Sequence, residues 1–80
     1  MVHARNLVDG ITESQVGQAL EKYGSIVDIF LLPKKRQGLI QYDDIDSAMA
    51  SVEDSNENGI YISGLQCYLN YSTGQKIMRP

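Results

Sequence analysis

Two stretches of helical periodicity, each framed by strand-like segments, decide most of what these 80 residues can fold into. Residues 2–8, VHARNLV, alternate Val2 and Ala4 with His3 and Arg5, the pattern of a half-buried strand. A turn, DGIT, follows. Thr12 then sits where an N-cap belongs, with Gln15 three residues on to complete a capping box. Ile11 and Val16 are spaced as a hydrophobic staple over that helix start. Val16, Ala19, Leu20 and Tyr23 fall at i, i+3, i+4 and i+7, one face of a helix. Gly24 stops it. Residues 25–32, SIVDIFLL, are β-branched and bulky, a strand that Pro33 ends. A short basic connection returns the chain as a hairpin strand over 37–42. Asp44 caps a second helix whose apolar positions Ile45, Ala48, Met49 and Val52 repeat the same spacing. DSNENG, 54–59, breaks that helix with turn residues. IYI at 60–62 is a short strand, SG a turn, and LQCYLNY at 65–71 the last strand.

This order predicts an α+β fold, a ferredoxin-like βαββαβ sandwich. Right-handed crossovers place both helices on one face of a four-stranded antiparallel sheet. The chain reads as a single domain over 1–80, with both ends looking like cuts in a longer polypeptide. Leu7, Val16, Leu20, Ile29, Leu31, Ile40, Val52 and Leu69 are the expected core. Met49, Cys67 and the rings of Tyr23, Tyr42 and Tyr71 are expected to pack with them, and Tyr61 to lie at the surface. No element is left to cover the second sheet face, so that bare face is the functional candidate.

Composition narrows the function by exclusion. One cysteine permits no intrachain disulfide and no thiol-only metal site, and suits a reducing compartment. No apolar run reaches membrane-spanning length, and no secretory signal is visible. His3 is the single histidine, and no Ser/His/Asp set can be proposed around it beyond chance proximity; the acidic loop VDGIT holds no arginine to cradle a phosphate. No enzyme activity, cofactor or metal is expected. The net charge of −3 argues against a dedicated duplex-DNA binder. The charge is uneven, however. Asp43, Asp44, Asp46, Glu53, Asp54 and Glu57 cluster together, while Lys34, Lys35, Arg36, Lys76 and Arg79 lie elsewhere.

The stretch KKRQGLIQY, 34–42, carries the sharpest signal: a basic start, one glycine, then alternation ending in an aromatic. With VHARNL (2–7) as a first-strand hexamer, KRQGLIQY (35–42) as a third-strand octamer, and TESQVGQALEKYGSIVDI as the first helix with its Tyr-Gly ending, the chain resembles the RNA recognition motif family across nearly its whole length. PKKRQGL, IYISG and NYSTGQKIMRP are similar to the heterogeneous nuclear ribonucleoprotein branch of that family. The resemblance implies a nuclear pre-mRNA-binding protein that regulates splicing and favours CA-rich single strands. It also implies other splicing factors or neighbouring motifs as further partners, and a monomeric domain. The family's octamer usually exposes aromatics at its third and fifth positions, and its hexamer at the second. Here those positions are Gln37, Leu39 and His3. Polypyrimidine-tract-binding members lack the same aromatics, so the pattern describes an altered surface.

Strand alternation supplies the remaining candidates. If Ile29 and Leu31 point inward, Phe30 and Leu32 point to the bare face; if Cys67 and Leu69 point inward, Tyr68 and Asn70 point outward. Arg5 shares a side with His3, and Gln41 with Gln37 and Leu39. Lys34, Lys35 and Arg36 at the hairpin suit phosphate contacts. Ser72, Thr73, Gln75 and Lys76 leave the last strand where they can lie across a bound strand. Each has a plainer reading: a solvated turn for 34–36, a surface histidine for His3, and packing against the tail or a neighbouring domain for Phe30 and Tyr68. Two classes therefore stay open: single-stranded RNA binding on the sheet, or a protein-interaction module that takes a peptide on its helical face or apolar sheet.

Overall fold

The computed structural model describes residues 1–72. Its strands are β1 (Val2–Arg5), β2 (Ile26–Leu32), β3 (Gln37–Tyr42), β4 (Ile60–Ile62) and β5 (Leu65–Tyr71); its helices are α1 (Glu13–Leu20) and α2 (Ile45–Glu57). The sheet runs β2-β3-β1-β5-β4, antiparallel at every junction. It therefore has five strands where four were expected, because IYI pairs beside β5 as a full edge strand.

Local chemistry sets the helix starts. The Gln15 N–H donates to Thr12 Oγ1 at 3.2 Å, and the Thr12 N–H donates to Gln15 Oε1 at 2.9 Å, the reciprocal bonds of a capping box. The Ser47 N–H donates to Asp44 Oδ1 at 2.7 Å, and hydrogen bonding from the Ser47 hydroxyl and then from this N–H holds the Asp44 carboxyl below the usual carboxylate range. A single turn of 3-10 helix, Glu21–Tyr23, extends α1 to Gly24, whose φ is 152°. A Cβ at Gly24 would also stand 1.9 Å from Ser47 Oγ, so this position excludes a side chain twice over.

One cluster fills the space between sheet and helices. Val2, Ala4, Val16, Leu20, Ile40 and Cys67 are fully buried, Leu7 and Leu69 almost so, with Val52 beside them and Ile29 and Leu31 packed against the group. The Cys67 thiol is free, and burial raises its pKa. The Tyr42 hydroxyl donates to the Leu20 carbonyl at 2.7 Å, and burial pushes its pKa up to about 12. Tyr23 is only partly buried; its hydroxyl donates to Asp54 Oδ2, which ties the end of α1 to α2. Burial, then that bond, raises the Tyr23 pKa, and the same bond lowers that of Asp54.

Four expectations are corrected. β1 stops at Arg5 instead of continuing through Val8, because Asn6 turns into the left-handed region at φ 61° and donates its side-chain N–H to the Gln66 carbonyl at 2.8 Å. α2 runs on through 54–57 to Glu57 and ends at Asn58–Gly59, where the backbone N–H groups of both residues donate to the Asp54 carbonyl. The buried face of α2 is Ser47, Ala48, Ser51, Val52 and Ser55, leaving Ile45 and Met49 exposed. The serines are tolerated there because each has little bulk and those at 51 and 55 are bonded. The Ser51 hydroxyl donates to the Ala48 carbonyl at 2.8 Å, and Ser55 Oγ accepts the Leu69 N–H at 3.0 Å. Tyr71, at the last position of β5 and beyond the buried Leu69, is exposed.

Leu20 is fully buried where α1 meets the sheet. Leu20→Ala is therefore expected to cost about 2–5 kcal/mol through the cavity it leaves. Urea denaturation reads this directly, and a loss well under ~1 kcal/mol would displace α1 from the core.

Candidate nucleic-acid interface

Strand register decides which side chains share the open face. Val2 and Ala4 of β1 are sealed at 0% exposure, so His3 and Arg5 point the other way. Ile40 and Gly38 of β3 are buried, which turns Gln37, Leu39 and Gln41 outward. In β2 a register shift between Ile26 and Asp28 lets both Ile26 and Ile29 reach the core three residues apart. Beyond the bulge, regular alternation puts Phe30 and Leu32 on the open face. Cys67 and Leu69 of β5 are buried, leaving Tyr68 and Asn70 outward.

The pairing collects these residues into rows across the sheet. Phe30 is opposite Leu39, Leu39 opposite His3, and His3 opposite Asn70, so four strands contribute one continuous central row. One step along, Leu32 is opposite Gln37 and Arg5 opposite Tyr68. Across the two rows, His3 Nε2 lies 3.0 Å from Gln37 Oε1; the carboxamide oxygen accepts, so the imidazole N–H donates. That bond leaves Nδ1 of a neutral His3 as an acceptor and the Gln37 amide N–H groups as donors. The Arg5 guanidinium carbon stands 5.8 Å from the centre of the Tyr68 ring. In the other direction Gln41 is opposite Asp28, and the Ser72 N–H donates to the Met1 carbonyl at 2.9 Å.

Gly38 has its own reason to be glycine. A Cβ there would meet Leu31 Cδ2 at 3.2 Å and Leu7 Cδ1 at 3.5 Å, so its bareness lets two core leucines close over β3. The hairpin between β2 and β3 is a turn of 3-10 helix, Pro33–Lys35, closed by Arg36 at φ 52°. The Arg36 carbonyl accepts the Leu7 N–H at 2.9 Å, which fixes the hairpin beside the end of β1. Lys34, Lys35 and Arg36 are exposed. Lys35 and Arg36 share a concavity with Arg5, Asn6, Gln37 and Tyr68.

Charge is thus segregated. The acids Asp46, Glu53, Asp54 and Glu57 ride on α2, in the helical layer, while four cations gather at one end of the sheet face. The predicted residues His3, Arg5, Phe30, Leu32, Gln37, Leu39, Gln41, Tyr68 and Asn70 do share that face. Lys34, Lys35 and Arg36 border it, and Ser72 closes its far end. Thr73, Gln75 and Lys76 lie outside the described residues. The sequence reading missed Gln66 and Tyr61 as members of the same face. Tyr61 is opposite Gln66 and lies between the buried Ile60 and Ile62. Alternation of IYI predicts Tyr61 turned away from its isoleucines, but only the pairing of β4 with β5 says which sheet face it joins. Among the described residues no cluster of three or more His, Cys, Asp or Glu is placed to hold a metal. Among the same residues no helix is long and apolar enough to cross a membrane.

A two-helix layer under an antiparallel sheet, with a bare face of polar and aromatic side chains bordered by cations, defines a ferredoxin-like domain whose open sheet face is its candidate binding surface. The RNA recognition motif family matches residues 4–68, and the chain belongs to that family. Over all 80 residues it is 42% identical to human heterogeneous nuclear ribonucleoprotein L, and equally so to the mouse protein, though it spans only 14% of their length. It is 29% identical over 77 residues to polypyrimidine tract-binding protein homolog 3 of Arabidopsis thaliana, covering 96% of this chain and 18% of that one. Among solved structures, the RRM domain of S. pombe Puf1 superposes with a TM-score of 0.77 at 17% identity, over 86% of this chain and 88% of that one. The Rna15 RRM with bound GU RNA gives a TM-score of 0.75 at 20% identity, over 95% and 85%. These two confirm the fold. Family membership and the likeness to heterogeneous nuclear ribonucleoprotein L support RNA binding, and make the domain a binding module and not an enzyme.

Adjacent residues of β3 offer a direct check on the face assignment. Ile40→Ala is expected to cost about 2–5 kcal/mol as a core truncation, whereas Leu39→Ala, on the open face, is expected to cost less than half as much. Equal losses in matched denaturation curves would contradict this strand parity.

Proposed function

We propose that this domain binds single-stranded RNA across the open face of its sheet, as part of a nuclear protein that acts on CA-rich pre-mRNA in splicing regulation. The observation that carries the reading is the central row Phe30–Leu39–His3–Asn70. It offers an aromatic ring, an apolar platform, an imidazole and a carboxamide in one line across four strands. A base laid on it meets π and apolar surface together with donors and acceptors for its edge. The usual stacking positions hold His3, Gln37 and Leu39, so aromatic contact comes from Phe30 and Tyr68 on other strands. The preference for CA-rich RNA and the splicing role are what the sequence resemblance implies, and the likeness to heterogeneous nuclear ribonucleoprotein L supports a nuclear ribonucleoprotein. The Rna15 neighbour, with GU RNA bound, supports the use of this fold for RNA. Lys34, Lys35, Arg36 and Arg5 neutralise phosphates along the border, and Ser72, Thr73 and Lys76 extend the contact past β5. The domain works as a monomer, beside neighbouring motifs or other splicing factors.

A second reading, a peptide-binding module, draws on one observation: a groove between α1 and the β2 edge, where Gly17 and Ile26 flank the exposed Val27.

Binding assays separate the two. Phe30→Ala and His3→Ala are each expected to weaken RNA binding by about 1–3 kcal/mol, the value of a lost base platform, with little change in melting temperature. Lys35→Ala is expected to weaken binding evenly across RNA sequences, since a phosphate contact positions without specifying. With about two or three of these cations engaging phosphate at once, the log–log salt slope is about −1.5 to −2. Unchanged affinity in both Phe30→Ala and His3→Ala would favour the peptide reading, and a slope steeper than about −4 would reveal further cations at the interface.

A further inference from the structure

The fifth strand lengthens the open face at its basic end. β4 pairs with β5 so that Ile60, Tyr61 and Ile62 stand opposite Cys67, Gln66 and Leu65. Both isoleucines are buried against the helices, so Tyr61, 57% exposed, lies on the same side as Gln66 and Tyr68. Gln66 is directly across from Tyr61, and Tyr68 is its diagonal neighbour, at a separation of about 7–8 Å that aromatic side chains reach across. This corner is firmly held. The Asn6 side chain donates to the Gln66 carbonyl, and Gln15 Nε2 donates to Ser63 Oγ at 3.2 Å, tying the β4–β5 turn to α1. A Cβ on Gly59 would approach Gln66 Nε2 at 3.0 Å and the Tyr61 hydroxyl at 3.5 Å, so the glycine leaves room for both side chains where they lie.

The same end of the sheet carries the cations. Arg5 stacks beside Tyr68, and Lys35 and Arg36 share the concavity that Tyr68 and Gln37 line. The opposite end has Asp28 across from Gln41. A polyanion is drawn to the basic end, and two exposed tyrosines continue from it toward β4.

From this geometry we infer that a bound single strand crosses the basic end of the sheet, from the β2–β3 hairpin over Tyr68 to β4, and that Tyr61 stacks on one further nucleotide whose edge Gln66 hydrogen-bonds. The inference deepens the RNA-binding reading and rests on it. It gives the edge strand a role in how many nucleotides the domain holds: an RNA long enough to reach β4 gains a stacked base, and a short one confined to the central row does not.

The test compares a tetranucleotide and an octanucleotide of CA repeats, titrated into the wild-type chain, Tyr61→Ala, Tyr61→Phe and His3→Ala by fluorescence anisotropy. Tyr61→Ala is expected to weaken the octanucleotide about 5- to 150-fold, the range of one lost stack, to leave the tetranucleotide unchanged, and to be rescued by Tyr61→Phe. In the wild-type complex with the octanucleotide, the Tyr61 ring protons should shift upfield, a readout that needs no variant. If Tyr61→Ala binds the octanucleotide as tightly as wild type while His3→Ala does not, the sheet binds RNA and the β4 position is no subsite. Unmoved Tyr61 ring resonances overturn it in the same way. If the wild-type chain binds neither RNA, the RNA reading fails and the subsite with it.

Discussion

β1 pairs along both of its edges, and both of its inward side chains are fully buried. The remaining architecture follows from that arrangement. Val2 and Ala4 can be buried only if α1 and α2 cover one side of the sheet, and covering one side commits His3 and Arg5 to the other. β3 and β5, hydrogen-bonded to β1, take their parity from it, and β2 and β4 take theirs in turn. A one-residue slip of β1 would bring His3 and Arg5 into the core and expose Val2 and Ala4. Burial on the helical side thus fixes the membership of the open face.

The same layering reconciles a net charge of −3 with RNA binding. The acids of α2 lie in the helical layer, beneath the sheet, whereas Arg5, Lys35 and Arg36 meet at one end of the open surface. At physiological salt, charges separated by more than about 8 Å are largely screened, so a strand on the sheet responds to the nearby cations more than to the sum over the chain. The proposed mode of binding combines modest phosphate neutralisation with stacking and edge contacts from Phe30, His3, Leu39 and Tyr68.

Most of the fold was legible in the sequence because its signals are local. Thr12 with Gln15, Asp44, Pro33 and the alternation of VHAR and QGLIQY each state their structure within a few residues, and the structure bears each of them out. The family resemblance rested on the same segments, and the family match confirms it. What escaped depended on contacts distant in sequence. Helical spacing of apolar residues pointed α2 inward through Ile45 and Met49. The actual interface uses small serines instead, one of which accepts a β5 backbone N–H that hydrophobicity cannot reveal. Tyr71 carries inward parity but sits past the last covered position of its strand. The Ser63–Gly64 turn signalled the hairpin of β4 with β5, but the sheet face that Tyr61 joins follows only from the burial of Ile60 and Ile62 against the helical layer.

The central claim is that RNA lies on the uncovered face of the sheet. Backbone amide shifts of the labelled chain during titration with a CA-repeat RNA test it most directly. The account predicts that the perturbed amides map to β1, β3, β5 and the β2–β3 hairpin, with His3, Leu39 and Tyr68 among the largest and the exposed face of α2 unmoved. Perturbations concentrated on α1, the β2 edge and α2, with the amides of β1 and β3 unchanged, would contradict it.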